Sequence, residues 1–144
     1  MTRVYFDSAY VVKCYLNDPD SEKVRNLFKR SEAVCSSALC LVEVACAVHR
    51  AVREQNLTTS QAADVRSAFT SQREEGLITL LPVSDNILYT VQSFIAIMPP
   101  NVFLRSGDAL HLASAHYEGF SEIWSNDRHM LRAAPHFNIV GRSV

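Results

Sequence analysis

Four acidic residues of this chain have sequence settings in which a carboxylate could do chemistry: Asp7, Glu43, Asp108 and Asp127. Asp7 and Asp127 each follow a short apolar run, Glu43 interrupts an apolar helical segment, and Asp108 lies at the start of another helical segment. If a fold brings the four together, their charges repel one another unless a cation lies among them. Clustered carboxylate oxygens suit a hard ion such as Mg²⁺. Such sites carry out phosphoryl-transfer and nuclease chemistry.

Each acid also has a purely structural explanation. Asp7, Asp108 and Asp127 all lie at predicted helix starts, where a carboxylate caps free N–H groups and suits the helix dipole. Glu43 shares a helical stripe with Arg50, so it could be a solvated acid with a salt-bridge partner. The joint pattern favours a site, because two of the acids directly follow predicted strands.

The elements that must position these acids alternate along the chain. Apolar runs predict strands over 3–6, 33–36, 77–83, 122–125 and 137–140. Periodicity and capping residues predict helices over 8–16, 20–30, 38–55 (capped by Ser37), 58–75 (starting at Thr58 or Thr59), 85–98, 106–118 and 127–134. This alternation indicates an α/β fold with a parallel sheet covered on both faces. In such sheets ligands bind at the carboxyl ends of the strands, which is where Asp7 and Asp127 fall.

Bulk properties exclude some classes of protein. The 144 residues fit one domain spanning 1–144, and 48% hydrophobic with 20% charged residues is ordinary for a globular chain. The 14 Lys+Arg against 15 Asp+Glu leave a net charge of −1, which is unlike a strongly basic nucleic-acid binder. Any contact with nucleic acid must therefore come from a local basic patch, or from metal ions that offset the acids.

The cysteines and the apolar runs predict a cytoplasmic protein. Four cysteines without a C-x-x-C pair argue against a zinc ribbon or a thioredoxin motif, and a reducing compartment is their simplest home. The amino-terminal residues do not form a signal peptide pattern. No apolar run approaches 18 residues, so no membrane span is expected.

Basic side chains near the acids have two interpretations. Arg105, Arg128 and Arg132 bracket two of the acids and could hold nucleic-acid phosphates, or they could be charge-balancing surface residues. His111 lies three residues after Asp108 and could share its helix face. A zinc site would need further His or Cys ligands at matching spacing, so a packed or hydrogen-bonded histidine is the favoured interpretation.

The fifth predicted helix is apolar on more than one face. One of its faces carries Ile87, Leu88, Val91, Ile95 and Met98. We expect the core to take the stripe formed by Leu88, Val91 and Ile95. That choice leaves Phe94 or Ile97 to be covered by another subunit, and a twofold dimer would cover both copies with one patch.

Four segments in this order resemble the PIN domain family, and within it the VapC-type toxins of prokaryotic toxin–antitoxin pairs. The segments are Tyr5–Lys13, Glu43, Ser106–Ala113 and Ser125–Leu131. The resemblance covers essentially the whole chain. It implies a three-layer α/β/α sandwich with a central parallel sheet of four or five strands. It also implies an endoribonuclease dependent on Mg²⁺ or Mn²⁺, a homodimer, and inhibition by a cognate antitoxin protein.

The resemblance carries roles onto individual residues. Asp7, Glu43, Asp108 and Asp127 are implied to form the catalytic site. The three aspartates would hold metal, with Asp127 completing the first ion's site or a second one, and Glu43 would orient or deprotonate a water. Ser8 and Asn126 are implied as polar supports, although family members vary at the position of Asn126. Arg105 and Arg128 are the candidate contacts to RNA phosphates.

Other acidic α/β sites fit less well. Haloacid-type phosphatases need a second aspartate two residues after the first, and position 9 is alanine. Response-regulator receivers need paired acids near the first strand, which here ends with a single acid. One alternative stays open: a PIN-like module that has a non-toxin RNA-processing role, or that binds RNA or protein without cleavage.

Overall fold

The computed structural model describes residues 2–144, and in this range two helical elements lie between each strand and the next. The strands are β1 (Arg3–Tyr5), β2 (Ala33–Ser37), β3 (Ile78–Leu81), β4 (Glu122–Trp124) and β5 (Val140–Arg142). The helices are α1 (Ser8–Lys13), α2 (Ser21–Arg30), α3 (Cys40–Arg53), α4 (Thr59–Glu74), α5 (Asp85–Ala96), α6 (Ser106–Tyr117) and α7 (Arg128–Ala133), followed by a 3-10 helix (Ala134–Phe137).

All the strand pairings are parallel. β1 pairs with β2 and β2 with β3, while β4 pairs with β5. A parallel bridge between Phe6 and Trp124 joins the two groups, so the strand order across the molecule is β3-β2-β1-β4-β5. The predicted parallel sheet of four or five strands is therefore confirmed. β1 and β4 are neighbours at the centre, and their carboxyl ends lead directly into Asp7 and Asp127.

Helices cover both faces of this sheet. Successive strand residues point to opposite faces, so Tyr5 packs into one core cluster and Phe6 into the other. Apolar residues of α5, α6, α7 and the 3-10 helix fill the first cluster, among them Ile87, Leu112 and Phe137. The second cluster is filled from α1 to α4. This is the three-layer α/β/α arrangement expected for a PIN-like chain.

The prediction for the last strand was wrong. Phe137 belongs to a 3-10 helix with Pro135 in its first turn, and its side chain is buried in the core. Asn138 then takes a left-handed conformation with φ of 57°, which asparagine tolerates better than most residues. The chain turns there, and β5 begins only at Val140. A four-residue segment with three apolar residues predicts a strand even when its first member anchors a turn.

Other boundaries differ by a few residues. α1 ends at Lys13 rather than at 16, and the third strand spans Ile78–Leu81 rather than 77–83. α3 begins at Cys40, and Ser37 is not its N-cap, because the Ser37 hydroxyl accepts the Leu39 N–H ahead of the helix. Thr58, by contrast, caps α4 through a capping box with Gln61.

The predicted core stripe of α5 was right only for Val91, which packs against the first core cluster. Leu88 and Ile95 are exposed, whereas Ile87 is buried. Phe94 stacks on Phe137 with ring centroids 4.6 Å apart and so needs no outside cover. The buried side chain of Ile87 and the stacked ring of Phe94 fix the inner face of α5, so the helix is rotated relative to the predicted orientation. Of the two residues expected to need cover, Ile97, at the end of α5, is 82% exposed and is the one that a partner would have to cover.

Candidate active site

Asp7 and Asp127 lie side by side because β1 and β4 are neighbouring parallel strands. Ser125 joins them: its hydroxyl donates to Asp7 Oδ2 over 2.6 Å and accepts the Asp127 N–H over 3.0 Å. Each aspartate also caps the helix that follows it. Asp7 Oδ1 accepts the Tyr10 N–H, and Asp127 Oδ1 accepts two N–H groups of α7. Capping and membership of the site are therefore compatible for these two acids.

Asp7 is the buried member of the group. Burial raises the pKa of Asp7. Hydrogen bonds from Ser125 and the Tyr10 N–H lower this pKa, and the charge of Asp108 raises it, but burial has the largest effect. A carboxylate in this setting is costly for the folded protein to ionise. A cation close to it would lower that cost.

Asp108 lies in the first turn of α6 and does not cap it. The N-cap of α6 is Arg105, whose side chain makes no capping hydrogen bond. The Arg105 guanidinium instead joins two acids: Nε lies 3.0 Å from Asp108 Oδ2, and Nη2 lies 2.6 Å from Asp127 Oδ2. Asp108 and Asp127 therefore face a common cation.

Glu43 makes contacts that the sequence did not indicate. Its Oε1 accepts the Ser8 hydroxyl over 2.7 Å and lies 2.9 Å from His111 Nε2. Arg50, the salt-bridge partner considered for Glu43, pairs with Glu54 instead, so that interpretation was wrong. Partial burial works to raise the pKa of Glu43, but the hydrogen bonds from His111 and Ser8 outweigh it and lower the pKa below its ordinary value.

Gly107 brings the start of α6 close to Glu43. A Cβ atom at Gly107 would lie 3.8 Å from Glu43 Oε2 and 3.7 Å from the Leu39 side chain. Gly107 directly precedes Asp108, so α3 and α6 present their acids to the same place. The four carboxylates, together with Ser8 and Arg105, thus surround one region at the carboxyl edge of the sheet, called the acidic site below.

Two of the predicted residues lie apart from the acids. Asn126 is exposed; its amide oxygen accepts the Tyr10 hydroxyl over 2.7 Å, and its amide nitrogen donates to Asp20 over 3.3 Å. It therefore supports the loop rather than the carboxylates themselves. Arg128 is exposed, and within residues 2–144 it makes no hydrogen bond to the acidic site.

Sequence reasoning missed Ser125 and undervalued His111. Ser125 is fully buried and holds two of the acids, and its position directly after β4 was a usable signal. His111 is hydrogen-bonded, as favoured, but its partners are members of the site. Spacing along α6 could suggest a shared face with Asp108. It could not reveal that the imidazole reaches Glu43 on another helix.

The donor set fits a divalent cation by chemistry. Asp7, Asp108 and Asp127 offer only carboxylate oxygens, the ligands that Mg²⁺ and Mn²⁺ prefer. Among residues 2–144, no three acidic, His or Cys side chains are already arranged around one ion position. The reason is visible in the contacts, because Arg105 holds Asp108 and Asp127 while Ser125 and Tyr10 hold Asp7. Binding of an ion would require the exposed Arg105 side chain to move.

Comparison with known protein families identifies the family of this chain. A family model described as the PIN domain matches residues 4–135. The chain belongs to the PIN domain family. This PIN chain is similar to two Mycobacterium tuberculosis proteins, Ribonuclease VapC45 of strain CDC 1551 / Oshkosh and Ribonuclease VapC49 of strain ATCC 25618 / H37Rv. Each is 32% identical over 115 residues, which are 80% of this chain and 76% of the relative.

Solved structures share the fold of this PIN chain. VapBC2 from Rickettsia felis bound to a promoter DNA fragment aligns with a TM-score of 0.69 and 14% identity, over 99% of this chain and 98% of that one. FitAcB from Neisseria gonorrhoeae aligns with a TM-score of 0.66 and 12% identity, over 98% and 96% of the two chains. In the described part of the PIN chain, every helix is too short or too polar to cross a bilayer.

Proposed function

We propose that this PIN protein is a divalent-metal-dependent endoribonuclease and the toxin of a toxin–antitoxin pair. The observation that carries the proposal is the convergence of four carboxylates from four separate segments at one sheet edge, with Asp7 buried among them. Like charges brought together oppose folding unless cations offset them, and the Arg105 guanidinium supplies only one positive charge for the four acids. The relatives named Ribonuclease VapC supply the reaction class.

The aspartates and Glu43 have separate roles in this proposal. Asp7, Asp108 and Asp127 would hold Mg²⁺ or Mn²⁺, which supplies Lewis-acid stabilisation of a scissile phosphate and acidifies water. Glu43 accepts hydrogen bonds through Oε1, which leaves Oε2 to accept a proton from the attacking water. Its lowered pKa means that Glu43 is ionised near neutral pH, so Oε2 is free to accept a hydrogen bond from that water and orient it.

Arg105 and Arg128 are the proposed contacts to the RNA backbone. Arg105 is 59% exposed and already lies against two members of the acidic site. When those acids hold a cation, its guanidinium becomes available to a phosphate, for which its planar donors are well suited. Arg128 is exposed one residue after Asp127 and could contact a neighbouring phosphate.

An apolar groove next to Arg105 is the proposed docking place for an antitoxin segment. Its volume is about 360 Å³, and its lining includes Leu88, Val91, Ile95, Leu104 and Leu110 together with Arg105 and Ser106. A helix with apolar residues at helical spacing would suit such a groove. A basic side chain at its end could enter the acidic site and replace the cation. Solved structures with this fold include a toxin–antitoxin complex from Klebsiella pneumoniae, with a TM-score of 0.61.

Cleavage of single-stranded RNA with and without EDTA tests the enzyme. We expect cleavage with Mg²⁺ or Mn²⁺, no cleavage in EDTA, and no cleavage by Asp7→Asn, which keeps the shape and removes one charge. Asp64→Asn on α4 is the matched control, since it removes an exposed carboxylate away from the sheet edge. RNA binding without cleavage would favour the alternative of a binding module. Cleavage that persists in EDTA would overturn the metal mechanism.

The proposed inhibition has its own test. In a purified complex with the antitoxin, excess Mg²⁺ should partly restore cleavage if a basic side chain competes with the metal for the acids. Leu88→Lys should weaken the complex, while Tyr89→Lys, an exposed neighbour outside the groove, should not. If saturating metal leaves the complex inactive, the antitoxin must block RNA access by another route.

A further inference from the structure

His111 connects the protein core to the acidic site. Its side chain is only 2% exposed, and both ring nitrogens have partners. Nδ1 lies 2.9 Å from the Tyr5 hydroxyl, while Nε2 lies 3.0 Å from Ser8 Oγ and 2.9 Å from Glu43 Oε1. A histidine that only filled space on this apolar helix would not need polar partners on three other segments.

The partners determine where the imidazole proton lies. The ordinary pKa of a tyrosine phenol is about 10, so the Tyr5 hydroxyl that lies 2.9 Å from Nδ1 carries its proton at neutral pH. We assign that proton to a hydrogen bond donated to His111 Nδ1, which leaves the ring's own proton on Nε2. Nε2 then donates towards Glu43 Oε1, to which Ser8 also donates.

We infer that His111 is a positioning residue for the reaction, because it fixes the carboxylate of Glu43 so that Oε2 faces the reacting groups. The inference rests on the proposed function, in which Glu43 accepts a proton from water. The Glu43 side chain is 40% exposed, so without His111 and Ser8 it would sample several rotamers. Two donors on one oxygen, one of them anchored through Tyr5 in the core, hold it in a single orientation.

Two substitutions of His111 separate hydrogen bonding from space filling. Leucine fills much of the same volume and cannot donate, whereas the amide nitrogen of glutamine can reach the position of Nε2. We expect His111→Leu to lower kcat by roughly 10–100-fold with little change in KM for RNA, and His111→Gln to recover most of that loss. His116→Leu is the matched control, because His116 is a second histidine of α6 that packs on Phe94 away from the site.

A double-mutant cycle tests whether His111 acts through Glu43. In the Glu43→Gln background, His111→Leu should cause no further loss of kcat, since the residue to be positioned no longer accepts a proton. A loss of equal size in both backgrounds, in variants that remain folded by circular dichroism, would overturn the inference. The same conclusion would follow if His111→Gln were as impaired as His111→Leu.

A readout independent of cleavage keeps this inference separable from the proposed function. In the metal-free protein, NMR titration of ¹³C-labelled glutamate carboxyls should show a higher pKa for Glu43 in His111→Leu than in the wild type, because a donor to the ionised form is lost. An unchanged pKa would overturn the positioning role. If the pKa of Glu43 is higher in His111→Leu but the wild-type protein cleaves no RNA, the proposed function is overturned and the hydrogen bond is still established.

Discussion

Arg105 Nη2 lies 2.6 Å from Asp127 Oδ2, so the acidic site contains a cationic side chain of its own. The same guanidinium contacts Asp108, and the hydrogen bond to Asp108 is the largest cause of the raised pKa of Arg105, ahead of the charges of both acids. Arg105 is largely exposed, so this contact can be broken at small cost. A divalent ion bound as proposed would therefore compete with Arg105 for two of the same carboxylates.

Removing Arg105 should have opposite effects on metal and on RNA. We expect Arg105→Ala to bind Mn²⁺ more tightly in isothermal titration calorimetry, because the competing cation is gone. The KM for RNA should rise, because a phosphate contact is lost. Arg50→Ala is a suitable control, since Arg50, on α3, is also exposed and also pairs with a carboxylate, that of Glu54. Unchanged Mn²⁺ affinity in Arg105→Ala would show that the two cations do not compete.

Asp7→Asn should stabilise the metal-free protein at neutral pH. The folded-state pKa of Asp7 is raised by burial, so its ionised form favours the unfolded chain once the pH exceeds the ordinary aspartate value of about 4. Asparagine can still accept the Tyr10 N–H but carries no charge. In EDTA, the Tm of Asp7→Asn should exceed that of the wild type at pH 7, and the gap should narrow as the pH falls towards 4. A gap independent of pH would contradict this reasoning, and Asp64→Asn should show no such gap.

Mg²⁺ should raise the Tm of the wild type, and more at pH 7 than near pH 4. Its ligands must be deprotonated, and ionised carboxylates at the site repel one another when no cation is bound. At about 100 times its Kd, the ion should add roughly 2.7 kcal/mol to the free energy of unfolding. Asp108→Asn should remove most of the shift. Differential scanning fluorimetry checks this, and a shift that persists in Asp108→Asn would place the ion elsewhere.

The chain should form a homodimer through the end of α5. Ile97 is highly exposed there, and covering two copies with one twofold patch removes both from water. Light scattering at micromolar concentration should give the mass of two chains, whereas Ile97→Lys should shift the mass towards one chain. Val42→Lys, at an exposed apolar residue of α3, is the control. A wild-type monomer that persists to high concentration would contradict the prediction.

Two glycines should respond differently to alanine. A Cβ at Gly141 would lie 2.7 Å from Leu131 Cδ2 and 3.2 Å from Leu131 Cα, so α7 would be pushed away from β5. We expect Gly141→Ala to cost about 1–3 kcal/mol, which is the usual cost of overpacking. At Gly107 the same atom meets only ordinary contacts, and alanine suits a helix, so Gly107→Ala should be neutral or stabilising. Urea unfolding of both variants measures the difference.

The sequence by itself determined the order of strands and helices and the position of three acids. Asp7 and Asp127 follow apolar runs, and the carboxyl ends of parallel strands lie at one edge, so local pattern was enough to predict that both acids lie at that edge. That they lie side by side follows from β1 and β4 being neighbours, which only the structure shows. The start of α4 at Thr58 and the helix α6 that carries Asp108 were also predictable from local pattern. Caps and periodicity act between residues only a few positions apart.

Only the tertiary structure decided which side chains meet across elements. Glu43 and His111 are 68 residues apart, and their contact depends on how α3 and α6 are rotated and packed against each other. The rotation of α5 was likewise decided by Phe94 stacking on Phe137 rather than by its own apolar pattern. The late start of β5 depends on burial of Phe137 in the core. Periodicity indicates that a face is apolar, but the shapes of the facing side chains decide which residues of that face are buried.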